Sequence, residues 1–550
     1  MADRRNNTDR FYWETAPHVT AMTEHGPVRG LVVDGTQRFL GIPYAAPPVG
    51  PLRWRPPVAP VSWRHPRDAF EYGNVCAQIN RFCPGLGFSS NTEDCLYLNV
   101  YSPEGAAEGA NLPVMVWIPG GGLILGGSTG YNPSALVKQG EVVVVSMNYR
   151  LNVFGFFSHP AINAEDHEIG NYGLMDQQAA LLWIQANIGR FGGDKQNVTI
   201  FGESAGGLSV WCQMVSPRSQ GLFHKAIVQS GTSHALISTP YTRDLAVTGT
   251  NLLRAAGVAD QNQTSDALRA VPTSDLLGAS FADGKPQLIY EIFHTVDGDV
   301  LPAPLLDLYA SGRFARIPVI NGTNRNEFNW FQACVELETG QPITDAGYEA
   351  VLATSFAQLP LDLVGARVPS DRLSDVIARY PRSEFGSASE AVATAIGDSG
   401  FIGAGNHRMN RLLRSYVDDV YAYEFDAPNS LTPWPAVSFP YGSCHTKELQ
   451  YLFPGFGGGG GHAVSFTEAD ATLSAEMIGF WTSFAHRGTP NSGSSLLPMW
   501  NPLDPSRDNA MLLAIPECRE IERFGQGHHC DFWDGIAAGE PGAACQLEDA

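Results

Sequence analysis

Apolar residues fall along this chain in short dense runs, most of them too short to be helices. Pro113-Val114-Met115-Val116-Trp117-Ile118, Val142–Met147 and Val198-Thr199-Ile200-Phe201 are nearly continuous, the pattern of strands buried on both faces. Leu96–Tyr101 alternates instead, and further strand-like runs lie at Lys225–Ser230, Ile317–Ile320, Val420–Phe425 and Met511–Ile515. Gly26–Gly41 reads as two short strands about an Asp34-Gly35 turn. The period changes after Gly173: Leu174, Leu181, Ile184 and Ile188 share one helical face, with Asn171 the predicted N-cap. Phe191-Gly192-Gly193-Asp194 ends that helix and turns the chain into the strand at 198–201, a strand–helix–strand step. A second long helix is predicted over Glu468–His486, with Met477, Phe480, Trp481 and Phe484 on its apolar stripe. The pattern predicts an α/β fold: a large, mostly parallel central sheet with helices on both faces.

The rest of the chain decorates that scaffold. Residues 1–550 are expected to form a single domain. Residues 240–315 and 335–400 carry short helical patches and are expected to be cap insertions. Residues 1–20 and 516–550 are expected to be peripheral terminal segments. The prolines from Ile42 to Pro57 predict a rigid surface crossing, and Gly457–Gly461 is the one low-complexity tract.

Composition narrows the function classes. With 550 residues, 44% hydrophobic and 17% charged, the chain has ample core for an ordinary globular protein. Its net charge of -21 argues against nucleic acid or an anionic membrane as partner, since both need a basic surface. No run of 18 apolar residues occurs, so no membrane insertion is expected. No signal peptide is visible in the chain as given, which makes it cytoplasmic by default, and secreted or periplasmic if a signal was removed. None of the nine cysteines forms a C-x-x-C, nothing has zinc-ligand spacing, and neither metal nor organic cofactor is expected.

Candidate chemistry begins at Gly202-Glu203-Ser204-Ala205-Gly206, where a strand runs into Gly-x-Ser-x-Gly and a helix-compatible segment follows. Such a turn pushes a serine hydroxyl out at the top of a sheet. Serine needs a base to take its proton, and the base needs an acid to fix its tautomer. Glu327 closely follows the strand-like run ending at Ile320; Asp297 and Asp299 are rivals in a tighter turn. The downstream histidines are 407, 445, 462, 486, 528 and 529, of which His445 lies in a small-residue loop suited to a cleft. Gly120-Gly121-Gly122 follows a strand and can bring N–H groups to a developing oxyanion, with the N–H of Ala205 as a further donor.

These stretches together resemble the type-B carboxylesterase family, from about Gly26 to Trp500. The motifs that carry the resemblance are Phe39-Leu-Gly-Ile-Pro-Tyr-Ala-Ala-Pro-Pro-Val-Gly, Glu93-Asp-Cys-Leu-Tyr-Leu-Asn-Val, Trp117-Ile-Pro-Gly-Gly-Gly, Asn148-Tyr-Arg-Leu, Asn171-Tyr-Gly-Leu-Met-Asp-Gln-Gln, Gly202-Glu-Ser-Ala-Gly-Gly and Phe480-Trp-Thr-Ser-Phe-Ala. The resemblance implies an α/β-hydrolase fold and a serine hydrolase that cleaves small carboxylic esters through an acyl-enzyme. It places the nucleophile on Ser204, the acid on Glu327, the base on His445 and the oxyanion donors on Gly121, Gly122 and Ala205. It implies a Cys76–Cys95 disulfide and buried ion pairs Arg53–Glu93 and Arg150–Asp176. Alternatives are a specialist esterase for a natural toxin, drug or polyester, and a non-catalytic, neuroligin-like binding protein. This chain departs from the family at Leu123, where many relatives carry an aromatic, and at Asn152, where glycine is common. The 76–95 loop also lacks the tryptophan on which cholinesterases stack choline. Lys447 is expected to be exposed and Cys444 to be a small packed hydrophobe.

Overall fold

Thirteen strands pair into one sheet in the computed structural model, which describes residues 13, 15–80, 89–231, 241–280, 294–358, 368–429, 432–457, 463–493 and 497–537. The strands are β1 His18–Thr23, β2 Gly26–Val33, β3 Thr36–Pro43, β4 Arg67–Asp68, β5 Tyr97–Pro103, β6 Leu112–Ile118, β7 Val143–Met147, β8 Gly193–Glu203, β9 Lys225–Gln229, β10 Val319–Asn324, β11 Val420–Asp426, β12 Ala510–Ala514 and β13 Arg519–Ile521. Their order is β1-β2-β3-β5-β7-β6-β8-β9-β10-β11-β12-β13, with β4 beside β2. From β7 to β12 every pairing is parallel. The first strands and β13 add antiparallel edges. The β2–β3 turn has Asp34 at φ 50° and Gly35 at φ 74°, the paired left-handed conformations of a tight hairpin turn.

Alternation along each strand divides the core into two layers. On β6, Val114, Val116 and Ile118 enter one layer while Met115 and Trp117 enter the other. On β11, Val420 and Ala422 face the first layer, and Tyr421, Tyr423 and Phe425 the second. Both faces are therefore covered, as a parallel sheet requires. Helix α1 (Tyr172–Asn187) and helix α2 (Ala205–Val215) contribute Leu174, Leu181, Val210 and Trp211 to the first layer. On the other side α4 (Glu468–Arg487) contributes Met477, Phe480, Trp481 and Phe484. It begins with a Thr467–Asp470 capping box and ends at Gly488 in the left-handed conformation. In chain order, helix α3 (Asn329–Thr339) falls between α2 and α4.

Three expectations need correction. Asn171 occupies the N-cap of α1 as expected but makes no side-chain capping bond; its amide donates to Thr295 O and Asp297 Oδ2 and accepts from Thr295 N, so it ties α1 to a distant loop. The strand expected over 317–320 is instead β10, Val319–Asn324, because β9 and β11 pair with it on either side, which brings Asn321-Gly322-Thr323 into the sheet. Neither terminal segment is wholly peripheral: β1 begins at His18, and helix α5 (Cys530–Ala537) buries Trp533 completely.

Candidate active site

Every element of the site leaves the carboxyl end of a parallel strand, where open α/β sheets place their ligands. Strand β8 delivers Ser204 at φ 57°, ψ -125°, a conformation that non-glycine residues rarely hold. The Ser204 N–H donates to Gln229 O at 2.9 Å, and its carbonyl accepts from Leu208 N at 2.9 Å, so both sides of the turn are anchored. The turn is tight because a Cβ on Gly206 would lie 2.0 Å from Ile118 O. Ser204 is partly exposed while its neighbours Glu203 and Ala205 are buried. Ala205 is the first residue of α2, where backbone N–H groups lack intrahelical partners and favour negative charge.

Glu327 and His445 come from the loops after β10 and β11. His445 Nδ1 lies 2.6 Å from Glu327 Oε2. The other carboxylate oxygen, Oε1, accepts from Thr323 Oγ1 at 2.8 Å and Asn324 N at 2.7 Å. Backbone bonds stitch the two loops together: His445 N to Glu327 O and Asn326 N to Ser443 O. Burial disfavours the Glu327 charge, but His445 and the N–H of Asn324 outweigh it and hold the carboxyl below its ordinary value. Burial likewise disfavours a charged His445, yet Glu203 and Glu327 push the imidazole up to about 9.

Two further carboxyls were not singled out from the sequence. Glu203, the residue before Ser204, places Oε1 3.2 Å from His445 Nε2. Burial raises it well above the ordinary carboxylate range. Glu448 accepts from Asn324 Nδ2 at 2.6 Å and from Gln229 Nε2 at 3.2 Å, and burial pushes it up to about 7. Glu203 lies inside the Gly-x-Ser-x-Gly motif, which could have drawn attention to it; nothing local marks Glu448. On α3, Phe331 and Trp330 approach the imidazole with ring centroids 5.1 and 6.5 Å away.

The glycine segment after β6 lies against the elbow: a Cβ on Gly120 would meet Ser204 Cβ at 3.2 Å. Gly121 and Gly122 have φ of 111° and 64°. Leu123 and Ile124 are buried and Leu125 is half-buried, so this rim is aliphatic.

The rival residues sit elsewhere. Asp297 caps its own turn, accepting from Asp299 N and Leu301 N. His407 pairs with Asp508, His486 bonds Gly140 O, and His528 lies between Asp398 and Glu424. His462 and the glycine run from 458 lie outside the described residues. Lys447 is fully buried rather than exposed, because its ammonium donates to Gly442 O at 2.7 Å beneath the His445 loop. Cys444 is a buried free thiol in a satellite apolar cluster with Trp434 and Tyr441. Cys76 and Cys95 are disulfide-bonded. Arg53–Glu93 and Arg150–Asp176 form buried ion pairs, each with a second bond through the guanidinium Nε.

Residues 16–533 match the family described as the carboxylesterase family. The chain is 35% identical over 535 residues to the acylcarnitine hydrolase of Mus musculus, covering 93% of this chain and 90% of that protein. It is 32% identical over 497 residues to the para-nitrobenzyl esterase of Bacillus subtilis (strain 168), covering 88% and 93%. A crystal structure of a Geobacillus stearothermophilus carboxylesterase superposes with a TM-score of 0.75 at 30% identity, covering 93% of this chain and 99% of that one.

Proposed function

The chain belongs to the carboxylesterase family and is a serine ester hydrolase, and from that premise we propose that Ser204, His445 and Glu327 carry the reaction. The observation that supports this assignment best is the 2.6 Å bond from His445 Nδ1 to buried Glu327. It sets the tautomer with the proton on Nδ1, so that the Nε2 lone pair can accept one. Ser204 Oγ attacks the ester carbonyl carbon while its proton passes to Nε2. The tetrahedral oxyanion is held by the N–H groups of Gly121, Gly122 and Ala205. The intermediate collapses, the ester C–O bond breaks, and Nε2 protonates the departing alcohol. Water then attacks the acyl-enzyme, giving its proton to His445, and the carboxylic acid leaves as Ser204 regains its hydrogen. Glu327 stabilises the imidazolium in both halves of the cycle.

The substrates we propose are small neutral carboxylic esters. The aliphatic rim at Leu123–Leu125 and the aromatic wall of Trp330 and Phe331 support an apolar acyl or alcohol group. The helices within 240–315 and 335–400 are proposed to cap this edge of the sheet. The test is hydrolysis of p-nitrophenyl acetate and butyrate by Ser204→Ala. Turnover should fall by at least roughly 10⁴-fold, the scale on which a nucleophile acts. Near-normal turnover by a folded variant would exclude Ser204.

A further inference from the structure

Oxyanion donors work only if their peptide planes are fixed before charge develops. The segment from Gly121 to Gly126 is a turn without regular structure, and a small cavity lies behind it, bordered by Gly120, Leu125, Gly126, Asn148 and Tyr149. Something must keep the turn from relaxing into that space. Two buried carboxamides do so. Gln78, fully buried, donates from Nε2 to Gly126 O at 2.8 Å and accepts from Gly126 N at Oε1, also at 2.8 Å. Its side chain grips one residue as a neighbouring β-strand would. Asn152 donates from Nδ2 to Ile124 O at 3.2 Å and to Ala77 O at 2.8 Å, and its backbone N–H donates to Leu123 O at 2.7 Å. Both amides join the turn to the segment that begins at the Cys76–Cys95 disulfide. Gln78 is itself paired through its backbone with Ser90.

The grip reaches the donors through the turn's own bonds. Gly121 O accepts from Ile124 N at 3.1 Å and from Leu125 N at 3.0 Å. A peptide unit is planar and trans, so its C=O and the following N–H point in opposite directions. With Gly121 O held by Ile124 and Leu125, the N–H of Gly122 is directed to the other side of the turn. Gly121 itself, at φ 111°, leaves no room for a side chain: a Cβ would lie 2.2 Å from Leu125 O. Asn152 adopts φ 46°, a left-handed conformation that asparagine tolerates better than most residues. Asn152 thus combines that backbone conformation with a side chain that reaches Ile124.

We propose that Gln78 and Asn152 are positioning residues for the oxyanion donors, tying the Gly121–Gly126 turn to the disulfide-anchored segment so that the Gly121–Gly122 peptide is set before substrate binds. The proposal rests on the reading of Gly121 and Gly122 as oxyanion donors to a tetrahedral adduct of Ser204. Both amides lie behind the turn, outside any contact with the reacting atoms.

The experiment uses the full chain with Gln78→Met, Gln78→Glu and Asn152→Gly. Active sites are titrated with a fluorophosphonate, and p-nitrophenyl butyrate kinetics are expressed per titrated site. In parallel, affinity is measured for an alkyl trifluoromethyl ketone and for the corresponding alcohol. The ketone adds Ser204 Oγ to its carbonyl carbon, the proton passing to His445, and the adduct's oxyanion occupies the hole. The alcohol makes no such adduct. Each substitution should lower kcat per site by roughly 10–100-fold, short of complete donor loss, with KM within about threefold. Ketone affinity should fall by a similar factor and alcohol affinity should hold. Gln78→Glu should match or exceed Gln78→Met, because it places a carboxylate against Gly126 O. Asn152→Gly keeps the backbone conformation accessible and serves as the test if the Gln78 variants do not fold. The proposal is overturned if kcat per site and ketone affinity stay within about twofold of the parent while only thermal stability drops. If instead Ser204→Ala keeps its turnover, the underlying reading fails, whatever the Gln78 and Asn152 variants do.

Discussion

Replacing Glu327 with glutamine is nearly isosteric, and the surrounding bonds dictate how the amide must sit. The Oε1 position faces Asn324 N, a donor that cannot reverse, and Thr323 Oγ1. The amide oxygen must take that place, which turns the NH₂ toward His445 Nδ1 at the 2.6 Å contact. Nδ1 must then accept, and the neutral imidazole carries its proton on Nε2, where a base must be free. The substitution therefore does more than remove a charge: it selects the unproductive tautomer. The charge itself matters in the transition state, when His445 becomes imidazolium. Across 2.6 Å, an effective dielectric constant of ~20 gives about 6 kcal/mol of attraction. That is close to the roughly 5.5 kcal/mol that corresponds to a 10⁴-fold rate change.

The expected result for Glu327→Gln is a loss of about 10⁴ in kcat on p-nitrophenyl butyrate with KM little changed, since Glu327 touches His445 rather than substrate. Folding should be preserved, because Thr323 and Asn324 keep an acceptor; circular dichroism and thermal unfolding check this. Glu327→Asp separates the two effects. It retains the charge and the acceptor character but shortens the reach, so it should keep more activity than glutamine. A glutamine variant within tenfold of the parent, or an aspartate variant below it, would refute the tautomer argument.

Three other outcomes follow from the same geometry. Activity requires neutral His445, so kcat/KM should rise with pH along its acidic limb. Glu203→Gln removes a group that favours the imidazolium from 3.2 Å away, and because burial keeps Glu203 inclined to hold its proton the limb should move down by only about 1 pH unit; an upward shift contradicts the reading. His528 is bonded to Asp398 and Glu424, which outweigh burial and push it up from 6.5 to about 9. Its contribution, about 3 kcal/mol, should be complete below the unfolded value and lost as pH rises through about 9, so the stability gap between parent and His528→Asn should narrow from pH ~6 to ~10, and a pH-independent gap would contradict it. Gly206→Ala would put a Cβ 2.0 Å from the Ile118 carbonyl, backbone against backbone, and should cost more than ~3 kcal/mol in urea unfolding or prevent soluble folding; parent-like stability would show that the elbow can open.

The elbow was legible because its components are contiguous. Strand, glycines, serine and helix lie within one short stretch, and each acts through local backbone geometry. The strands of the parallel core were legible for a similar reason: both faces are buried, so apolar runs such as Val143–Val145 are uninterrupted. Glu327 and His445 were harder, because position alone left Asp297 and five other histidines in play, and it was the family motif that discriminated among them. The misreadings share one cause. Lys447 looked solvent-exposed, Asn171 looked like a side-chain cap and residues 516–550 looked peripheral, yet each has partners that its local sequence does not reveal. Lys447 is satisfied by carbonyls in its own folded loop, Asn171 by Thr295, and His528 by Glu424. Polar side chains are assigned to the surface by default, and only a folded arrangement reveals that a buried one has enough partners to offset its desolvation.

The same consideration explains how similar side chains acquire different tasks in this molecule. Glu203, Glu327 and Glu448 are all buried close to one imidazole, and three neighbouring carboxylates cannot all remain charged. What separates them is the supply of donors. Glu327 receives a hydroxyl, a backbone N–H and the imidazole N–H, and it alone is held below its ordinary value. Glu448 receives two amide N–H groups and rises to about 7, while Glu203 faces Nε2 and is raised well above the ordinary carboxylate range by burial. One charge is thus placed where an imidazolium will form, and the remaining carboxyls can hold protons instead of opposing it. His528 shows the contrasting arrangement. Each of its nitrogens is bonded to a carboxylate at 2.7–2.8 Å, so it is stabilised as a fixed cation. His445 has a carboxylate bond of that length at Nδ1, to Glu327. Its Nε2 faces Glu203, a carboxyl that burial inclines to be neutral, and an imidazole in that setting can cycle between its two charge states during turnover.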